Sequence, residues 1–524
     1  MSADVENASG KTGSKDGATG LLQKMTVALA IVALICGVIG YLQAEAGVSL
    51  VEAVYATATL YFINPVHDAN NAWIWVAKFS GLVLASSAVL LVVLGAARWR
   101  VKAWIFSLYD DFTAVYTDNE WGRHVAATMK HAVAVTGEAA GNIVRSGYAI
   151  ILYSGDEQSL DFFARNREKF QTGKVYIGLR AVDTFLLKAP QREDGMDVHY
   201  FNVYDTMARY YWRDHHLYDR LAGCKGKEEN ACRVLHIALL GYGAAGKALF
   251  RCGYLNNLYS LAQEIHYHIW GCTPTEKSFL EHLDRCNEEI RGTQQTRDYI
   301  HVHDGAWDAP RDGIASLERV DRIIVALHES LDAIQHLLHI NLDTEIHCCN
   351  SGSIVFENLF NSAGAGQAGR IMTFGVNDAL DGQAIKQERT FRAAKLIHYG
   401  YCRRQSGMAG HPLTAQEDAE IERCWKELNG FLRGSNIAAA DHYWIKMRLA
   451  KEANLVDSDE IRRLEHVRWC RYHFYNRWRH AAERDNTRRC HPDLIPYDDL
   501  AQEAQQKDEI ILEIRKELDR LFET

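Results

Sequence analysis

Two long apolar runs near the N-terminus constrain the fold of this chain most strongly. Residues 25–43 contain no charged side chain, and residues 72–97 contain only Lys78. Each run is long enough to cross a bilayer as an α-helix. Arg98 and Arg100 follow the second run at once, whereas residues 44–71 contain no lysine or arginine. The sequence therefore predicts a protein that crosses the cell's inner membrane twice, with both termini in the cytoplasm.

A secretory signal peptide is the alternative for the first run, because Ala44-Glu45-Ala46 resembles a cleavage site. The long apolar core and the mixed charges before it favour a span. Residues 1–20 are small, polar and glycine-rich, which predicts a disordered tail.

The segment between the two runs has the outline of a pore loop. Ser49 and Glu52 have the spacing of a capping box, which predicts a short helix through Tyr61. A span, a half-length helix and a second span resemble the pore module of two-helix potassium channels, whose filter has the sequence Thr-Val-Gly-Tyr-Gly. The matching residues here are Thr59, Leu60, Tyr61, Phe62 and Ile63.

The two glycines of that filter are replaced by Tyr61 and Ile63. A positive φ is costly for bulky residues, so a potassium-selective filter is not expected. The outline without the glycines predicts a non-selective or hydrophobically gated pore for ions, or an assembly that does not conduct. The alternative is a plain membrane anchor with a packed re-entrant loop.

The remainder alternates β-rich and helical runs, which predicts doubly wound parallel sheets. Its clearest unit is a strand at 234–240, then Gly241, Gly243 and Gly246, then a helix. This spacing is typical of a dinucleotide-binding turn, in which the helix N-terminus faces a pyrophosphate. No acidic residue ends the second strand, at 268–272, where a ribose-binding acid is expected. The alternative is that the glycines serve only strand–helix packing.

Further strands are predicted at 265–270, 299–303, 322–327, 345–349 and 370–374.

An earlier, degenerate unit occupies roughly residues 125–222. A strand at 131–137 ends on Gly137, Gly141 follows it, and a second strand is predicted at 148–157. Asp156, near the end of the second strand, stands where a ribose-binding acid is expected. Two such units behind a two-helix pore resemble tandem RCK (TrkA-N) domains. That family implies a homotetrameric ring that binds nucleotides or ions and gates the pore, and the ligand expected here is a nucleotide or dinucleotide.

The C-terminal segment resembles the ryanodine-receptor homology (RyR) domain. The resemblance rests on Glu465-His466, Arg468-Trp469, Trp478 and the run 491–497, and Arg477 replaces a glycine common in the family. The predicted domains are 1–20 (tail), 21–104 (pore-like), 105–225 and 226–412 (Rossmann, RCK-like) and 413–524 (α-helical, RyR-like).

Residues 462–489 contain nine arginines, three acidic residues and no lysine. Arginine holds phosphate bidentately and stacks on rings, so this composition indicates a site for a phosphate-bearing aromatic ligand. The alternatives are helix packing with surface arginines and contact with anionic lipid or nucleic acid. The predicted ligand residues are Arg468, Trp469, Arg471, Trp478 and Arg479.

No metal site is predicted. His347, Cys348 and Cys349 are adjacent on one strand and therefore point to opposite faces, and His301 and His303 share a face without a third ligand. The twelve cysteines form no C-x-x-C pair, and a net charge of −9 argues against a protein that coats nucleic acid.

The sequence therefore predicts a non-enzymatic, ligand-gated membrane effector in which cytoplasmic nucleotide sensing controls a pore. The alternative is a non-conducting, membrane-anchored nucleotide sensor or a regulatory subunit of a transport or defence system. A Rossmann oxidoreductase is a third class, disfavoured because no acid or base accompanies the glycine motif.

Overall fold

The computed structural model describes most of the chain, in two units that comprise residues 1–105 and 106–524. The described residues are 13–44, 47–60, 70–136, 143–170, 173–182, 187, 196–218, 234–261, 263–290, 298–309, 313–327, 330–340, 344–349, 371–407, 417–452, 459–509 and 514–522.

The N-terminal unit is helical. Its helices are α1 Gly13–Ala44, α2 Leu50–Thr59 and α3 Ala72–Phe106, of which only the last residue belongs to the second unit. Residues Val27–Ala44 are long and apolar enough to cross a membrane, with a mean hydropathy of 2.3, as predicted for the first run. Helix α1 begins at Gly13, inside the segment predicted to be disordered, because the apolar helix extends toward the N-terminus. A membrane span within α3 stays a prediction.

Helix α2 is the short helix predicted between the two runs. The Ser49 side chain accepts a hydrogen bond from the Glu52 N–H at 3.3 Å, and the Glu52 carboxylate accepts one from the Ser49 N–H at 2.9 Å. The capping box is therefore confirmed. The helix ends at Thr59, with Leu60 as its C-cap, whereas the predicted pore residues Tyr61, Phe62 and Ile63 lie outside the described residues.

The second unit begins with a five-stranded parallel sheet in the order β2-β1-β3-β4-β5. Two of the strands, β2 and β3, were predicted from the sequence. The elements are β1 Thr113–Thr117, α4 Glu120–Ala127, β2 Ala132–Val135, β3 Tyr148–Leu152, α5 Asp156–Asn166, β4 Lys174–Leu179, β5 Asp197–Asn202 and α6 Val203–Asp214.

A six-stranded parallel sheet follows, in the order β11-β10-β9-β6-β7-β8. This is the doubly wound Rossmann order, with the direction of winding reversing between β6 and β9. All six predicted strands occur. The elements are β6 Val234–Leu240, α7 Ala244–Asn256, β7 Glu264–Trp270, α8 Pro274–Ile290, β8 Tyr299–Val302, α9 Gly313–Leu317, β9 Arg322–Val325, α10 Ser330–Ile340, β10 Glu345–Cys349 and β11 Ile371–Phe374.

The two sheets are joined through helices α6 and α7. A Cβ at Gly253 would lie 2.7 Å from the Trp212 ring, and the Trp212 indole N–H donates to the Leu249 carbonyl at 2.8 Å. The chain after β11 returns to the first sheet, where the Tyr176 hydroxyl donates to the Lys386 carbonyl at 2.9 Å. This returning segment comprises α11 Val376–Ala379, α12 Gly382–Gln387 and the start of α13 Arg389–Gln405.

The C-terminal region is mainly helical, as predicted. Its helices pack on α7, α8 and α13, so that it forms one unit with the two sheets. The elements are α14 Asp418–Glu427, α15 Gly430–Glu452, α16 Asp459–Tyr475, β12 Arg479–His480, β13 Cys490–His491, α17 Gln502–Gln505 and α18 Arg515–Phe522, with 3-10 turns at Tyr497–Asp499 and Gln506–Glu509.

Candidate functional site

The three glycines after β6 differ in what a side chain would meet. Gly241 has φ +101°, and a Cβ there would lie 2.7 Å from the Ala326 carbonyl oxygen. A Cβ at Gly246 would lie 2.0 Å from the Gly241 carbonyl oxygen. A Cβ at Gly243 would meet none of the described residues within 4 Å. Two of the glycines therefore permit close packing, and Gly243 leaves space for an approaching ligand.

Gly243 is also the N-cap of helix α7, and no side chain caps this end of the helix. The first-turn N–H groups of a helix carry a partial positive charge and can bind an anion. This helix end lies at the carboxyl edge of the sheet, where the winding reverses between β6 and β9. Ligands of open α/β sheets bind at this edge. The loop is therefore a candidate anion site.

The end of strand β7 carries no acid, as the sequence indicates, and the first carboxylate beyond it belongs to Glu276. It accepts a hydrogen bond from the Thr273 N–H at 2.8 Å and forms an ion pair with Lys247 of helix α7. Burial opposes its ionisation, but the Lys247 and Thr273 hydrogen bonds outweigh burial and lower the pKa of Glu276. The sequence interpretation missed Glu276, although Thr273 and Glu276 have capping-box spacing.

The corresponding edge of the first sheet is occupied by its own side chains. Asp118, after β1, accepts hydrogen bonds from the Ser154 N–H at 2.7 Å and from the Ser154 hydroxyl at 3.0 Å. Asn119 caps α4 through the Gly122 N–H at 3.1 Å. Strand β1 lies between β2 and β3. The prediction of strands at 131–137 and then 148–157 holds in chain order, but β1 precedes both, so the unit begins one strand earlier than predicted.

The Asp156 carboxylate, predicted to bind a ribose, accepts three backbone hydrogen bonds. The donors are the N–H groups of Arg180, Ala181 and Val182, at 2.7, 2.8 and 2.9 Å. Asp156 thus holds the loop after β4, and a ribose would have to replace these bonds. Gly137 and Gly141, which complete the predicted motif, lie outside the described residues.

Two of the arginines predicted to bind phosphate are instead buried in ion pairs. Arg468 is 2% exposed and donates to Glu465 at 2.6 Å. Arg471 is 1% exposed and donates to the Asp298 carboxylate at 2.7 Å and to the Tyr254 carbonyl at 2.9 Å. Because a buried guanidinium needs a carboxylate partner, these bonds correct the prediction that Arg468 and Arg471 face a ligand.

The other predicted ligand residues of this region do not share one open surface. Trp478 is buried and stacks on Phe431 with ring centroids 5.0 Å apart, while Trp469 is half-buried against His473. Arg479 is exposed on β12 and donates to the Cys490 sulfur at 3.4 Å. Helix packing, the alternative interpretation, accounts for Trp478.

The histidines of the second sheet form a ladder that the sequence did not predict. His266 and His301 lie 2.8 Å apart, and His268 and His303 lie 3.0 Å apart, each measured from Nδ1 to Nε2. Burial, together with the neighbouring histidines, lowers the pKa of His268 to about 3.

His347 Nδ1 lies 2.9 Å from the Tyr211 hydroxyl. Among the residues that the structure describes, no group of three or more His, Cys, Asp or Glu side chains could hold a metal ion.

The chain matches no protein-family profile and no curated protein sequence. Solved structures with a likeness to it include the GsuK channel, with 12% identity, coverage of 72% of this chain and 84% of that one, and a TM-score of 0.31. GsuK bound to ADP has 13% identity, coverage of 71% and 99%, and the same TM-score. A D-isomer specific 2-hydroxyacid dehydrogenase from Xanthobacter autotrophicus Py2 has 13% identity, coverage of 57% and 97%, and a TM-score of 0.20. Likeness this distant does not decide the function of the chain.

Proposed function

We propose that this protein is a ligand-gated membrane effector in which a nucleotide or dinucleotide at the Gly241–Gly246 loop controls a two-helix pore. The observation that carries the proposal is that a Cβ at Gly243, where helix α7 begins at the carboxyl edge of a Rossmann sheet, would meet none of the described residues. Backbone N–H donors and the helix dipole favour a pyrophosphate there. Without an acid at the end of β7, Glu276 is the nearest candidate for a ribose contact.

The pore half of the proposal is supported by the helical outline of the N-terminal unit. Helix α2 is half the length of a span and is capped at Ser49. A pore needs several copies of such a hairpin, so we propose a homotetramer in the inner membrane with a second span in α3 and both termini cytoplasmic. Without filter glycines at Tyr61 and Ile63, the pore is not selective for potassium.

The C-terminal region, which we propose to be an RyR-like domain, transmits the bound state through its buried contacts with the second sheet. The Arg471–Asp298 ion pair joins α16 to the residue that precedes strand β8. A ligand that stabilises one arrangement of these parts shifts the population of the whole assembly. The proposal requires no chemical reaction, so the protein is not an enzyme in this scheme.

The proposal is tested by planar-bilayer recording of the purified, full-length protein with ATP, ADP, NAD and cyclic mononucleotides. We expect at least one of them to change the conductance and to bind in calorimetry. Gly243→Ala should weaken that binding at least tenfold, because the added methyl group occupies the path of the pyrophosphate. Gly155→Ala is the matched control. Gly155 is the N-cap residue of helix α5, which follows strand β3 of the first sheet, and a Cβ there makes ordinary contacts.

A non-conducting nucleotide sensor is the second candidate, and the packing of α2 on α1 favours it. Tyr41, Ala53, Ala56 and Ile74 form a small core within the N-terminal unit, which suits a closed membrane anchor. Replacing residues 59–63 with alanines separates the two candidates. Unchanged cellular activity with retained nucleotide binding favours the sensor, whereas lost conductance favours the pore. If no nucleotide binds, both proposals fail.

A further inference from the structure

The histidine ladder of the second sheet crosses three neighbouring strands on one face. Its members are His236 on β6, His266 and His268 on β7, His301 on β8 and His303, which directly follows β8. Each of them is half-buried. Strand pairing places His236 beside His266, with ring centroids 4.4 Å apart. It likewise places His268 beside His301, with ring centroids 4.8 Å apart. The ladder is therefore one continuous group of stacked imidazole rings.

Hydrogen bonds between these rings hold the edge of the sheet together. Strand β8 is the last strand of the sheet, and β7 is the strand it pairs with. The His266–His301 and His268–His303 bonds both run from β7 to β8 or its end. A third bond joins β6 to β7, with His236 Nδ1 lying 3.0 Å from His268 Nε2. Two of the three ring bonds therefore fasten the edge strand.

Such bonds between two imidazole rings need at least one neutral ring. A neutral imidazole has one N–H donor and one acceptor nitrogen, whereas an imidazolium has two donors and no acceptor. Each ring pair can therefore share one proton between its facing nitrogens. When both rings of a pair are protonated, two N–H groups face each other and two positive charges lie side by side. Protonation of both rings therefore breaks the bond between the strands.

The charged and titratable groups around the ladder offer it little compensation. They belong to Glu264, Tyr299, Asp304, Arg319 and Asp321. Glu264 contacts the His266 ring at 2.7 Å. Asp304, by contrast, is paired with Lys277 of α8, and Asp321 accepts a bond from the backbone N–H of His236. Arg319 is itself positive. Only the His266 ring therefore has a carboxylate bonded to it among the described residues.

The remaining rings resist protonation while the strand is in place. Burial and the neighbouring histidines lower the pKa of His301 to about 4, as they lower that of His268. Burial also lowers the pKa of His236 and of His303. A histidine in an opened, solvated strand has an ordinary pKa of about 6.5. Below that pH the opened state binds more protons than the closed state, so the closed strand is fully stable above about pH 6.5 and loses stability as the pH falls.

Strand β8 also carries a contact to the C-terminal region. Asp298, which directly precedes β8, is 1% exposed. Its carboxylate accepts hydrogen bonds from Arg471 of α16 at 2.7 Å and from the Ile265 N–H of β7 at 2.9 Å. A displacement of β8 moves Asp298 with it, and the ion pair to α16 is then lost.

We infer that the histidine ladder is an acid-operated latch, which holds β8 on the sheet at neutral pH and releases it, with its Asp298–Arg471 bond to α16, when the rings are protonated. Clusters of histidines are suited to such a role because their charge changes close to physiological pH. The signal is the proton, so the inference goes beyond the proposed function and does not depend on nucleotide binding at Gly243.

Hydrogen–deuterium exchange of the full-length protein, followed by mass spectrometry at pH 7.5, 6.5 and 5.5, tests the inference. The exchange rates are corrected for the intrinsic effect of pH on amide exchange. Each histidine that opening releases should favour the opened state about tenfold at pH 5.5. We therefore expect the protection of β8 to fall at least tenfold between pH 7.5 and 5.5, and that of α16 to fall with it. Strands β9 and β10 should keep their protection.

The double variant His301→Phe with His303→Phe keeps aromatic rings beside β7 but removes two groups that take up protons. We expect the protection of its β8 to change less than threefold over the same pH range. His336→Phe is the matched control, because His336 lies on α10 outside the ladder and its side chain is 60% exposed. This variant should respond to pH as the wild type does.

The wild-type measurement can overturn the inference by itself, whatever the stability of the variants. It does so if β8 keeps its protection at pH 5.5, if β9 and β10 lose theirs to the same extent, or if β8 opens while α16 stays protected. The inference is also overturned if the double variant responds to pH as strongly as the wild type, or if His336→Phe abolishes the response.

Discussion

The Gly241–Gly246 loop and the arginine helix α16 both carry the sequence signature of a phosphate site, but they differ in what surrounds them. In the loop, a side chain at Gly243 would meet none of the described residues within 4 Å. On α16, Arg468 and Arg471 are buried and bonded to Glu465 and Asp298. One region offers space and oriented N–H groups, whereas the other uses its charges internally.

The difference follows from the kind of group that each region uses. A backbone N–H at a helix N-terminus has no partner within the helix, so it remains a donor unless a side chain caps it. An arginine can be satisfied by any carboxylate that the fold brings near, and a buried arginine must be. A run of arginines therefore predicts an anion site only where no acidic residue of another element can reach it.

The largest effect should come from removing a buried arginine. Arg471→Ala leaves the Asp298 carboxylate buried without its partner, and we expect a loss of about 3–5 kcal/mol in the free energy of unfolding. Urea titration of the full-length protein, monitored by tryptophan fluorescence, measures it. The double variant Arg471→Met with Asp298→Asn removes both charges and should recover most of the loss.

Arg479→Ala is the matched control because Arg479 is exposed, and we expect no measurable change in stability. If Arg471→Ala left the protein stable and abolished nucleotide binding instead, α16 would be a ligand site after all. The contrast between the two regions would then be lost.

The next effect separates the glycines of the loop. Gly246→Ala places a methyl group 2.0 Å from the Gly241 carbonyl oxygen, so the helix must shift, at a cost of about 1–3 kcal/mol. Gly243→Ala meets no described neighbour and should leave the free energy of unfolding unchanged. Thermal unfolding of the two variants without ligand checks this. Equal destabilisation by both would show that Gly243, too, serves only packing.

The second sheet could be predicted from the sequence because its signals are local. Each strand is a short β-rich run, and the turn after β6 carries its glycines at fixed spacing. Strand β1 was missed because its five residues, 113–117, form a short run that begins soon after helix α3 ends at Phe106, and no glycine motif comes after them. The interpretation therefore began the unit one strand too late.

The Arg468–Glu465 pair has the local spacing of three residues and could have been predicted, but the other ion pairs of α16 could not, because their partners are remote in sequence. Asp298 precedes Arg471 by 173 residues, and Lys446, which contacts Glu465, lies on another helix. The role of Asp156 was missed for a similar reason, since its donors follow strand β4. Sequence composition gives the charge of a segment, but only the fold determines which charges are neutralised.

The smallest expected effect on stability concerns Arg477, an arginine in the left-handed backbone conformation that favours glycine. Arg477 replaces the glycine expected after α16 and has φ +63°, with its N–H bonded to the Phe474 carbonyl at 2.8 Å. This is the geometry of a helix C-cap that favours glycine. Arg477 also lies over the Phe279 ring, at 4.7 Å.

Arg477→Ala loses that contact and keeps the strained backbone, whereas Arg477→Gly loses the contact and relieves the strain. We therefore expect Arg477→Gly to be more stable than Arg477→Ala by about 1 kcal/mol in urea unfolding. Equal stability of the two variants would mean that the helix end relaxes to another backbone conformation, and the preference for glycine at this position would not be a matter of backbone strain.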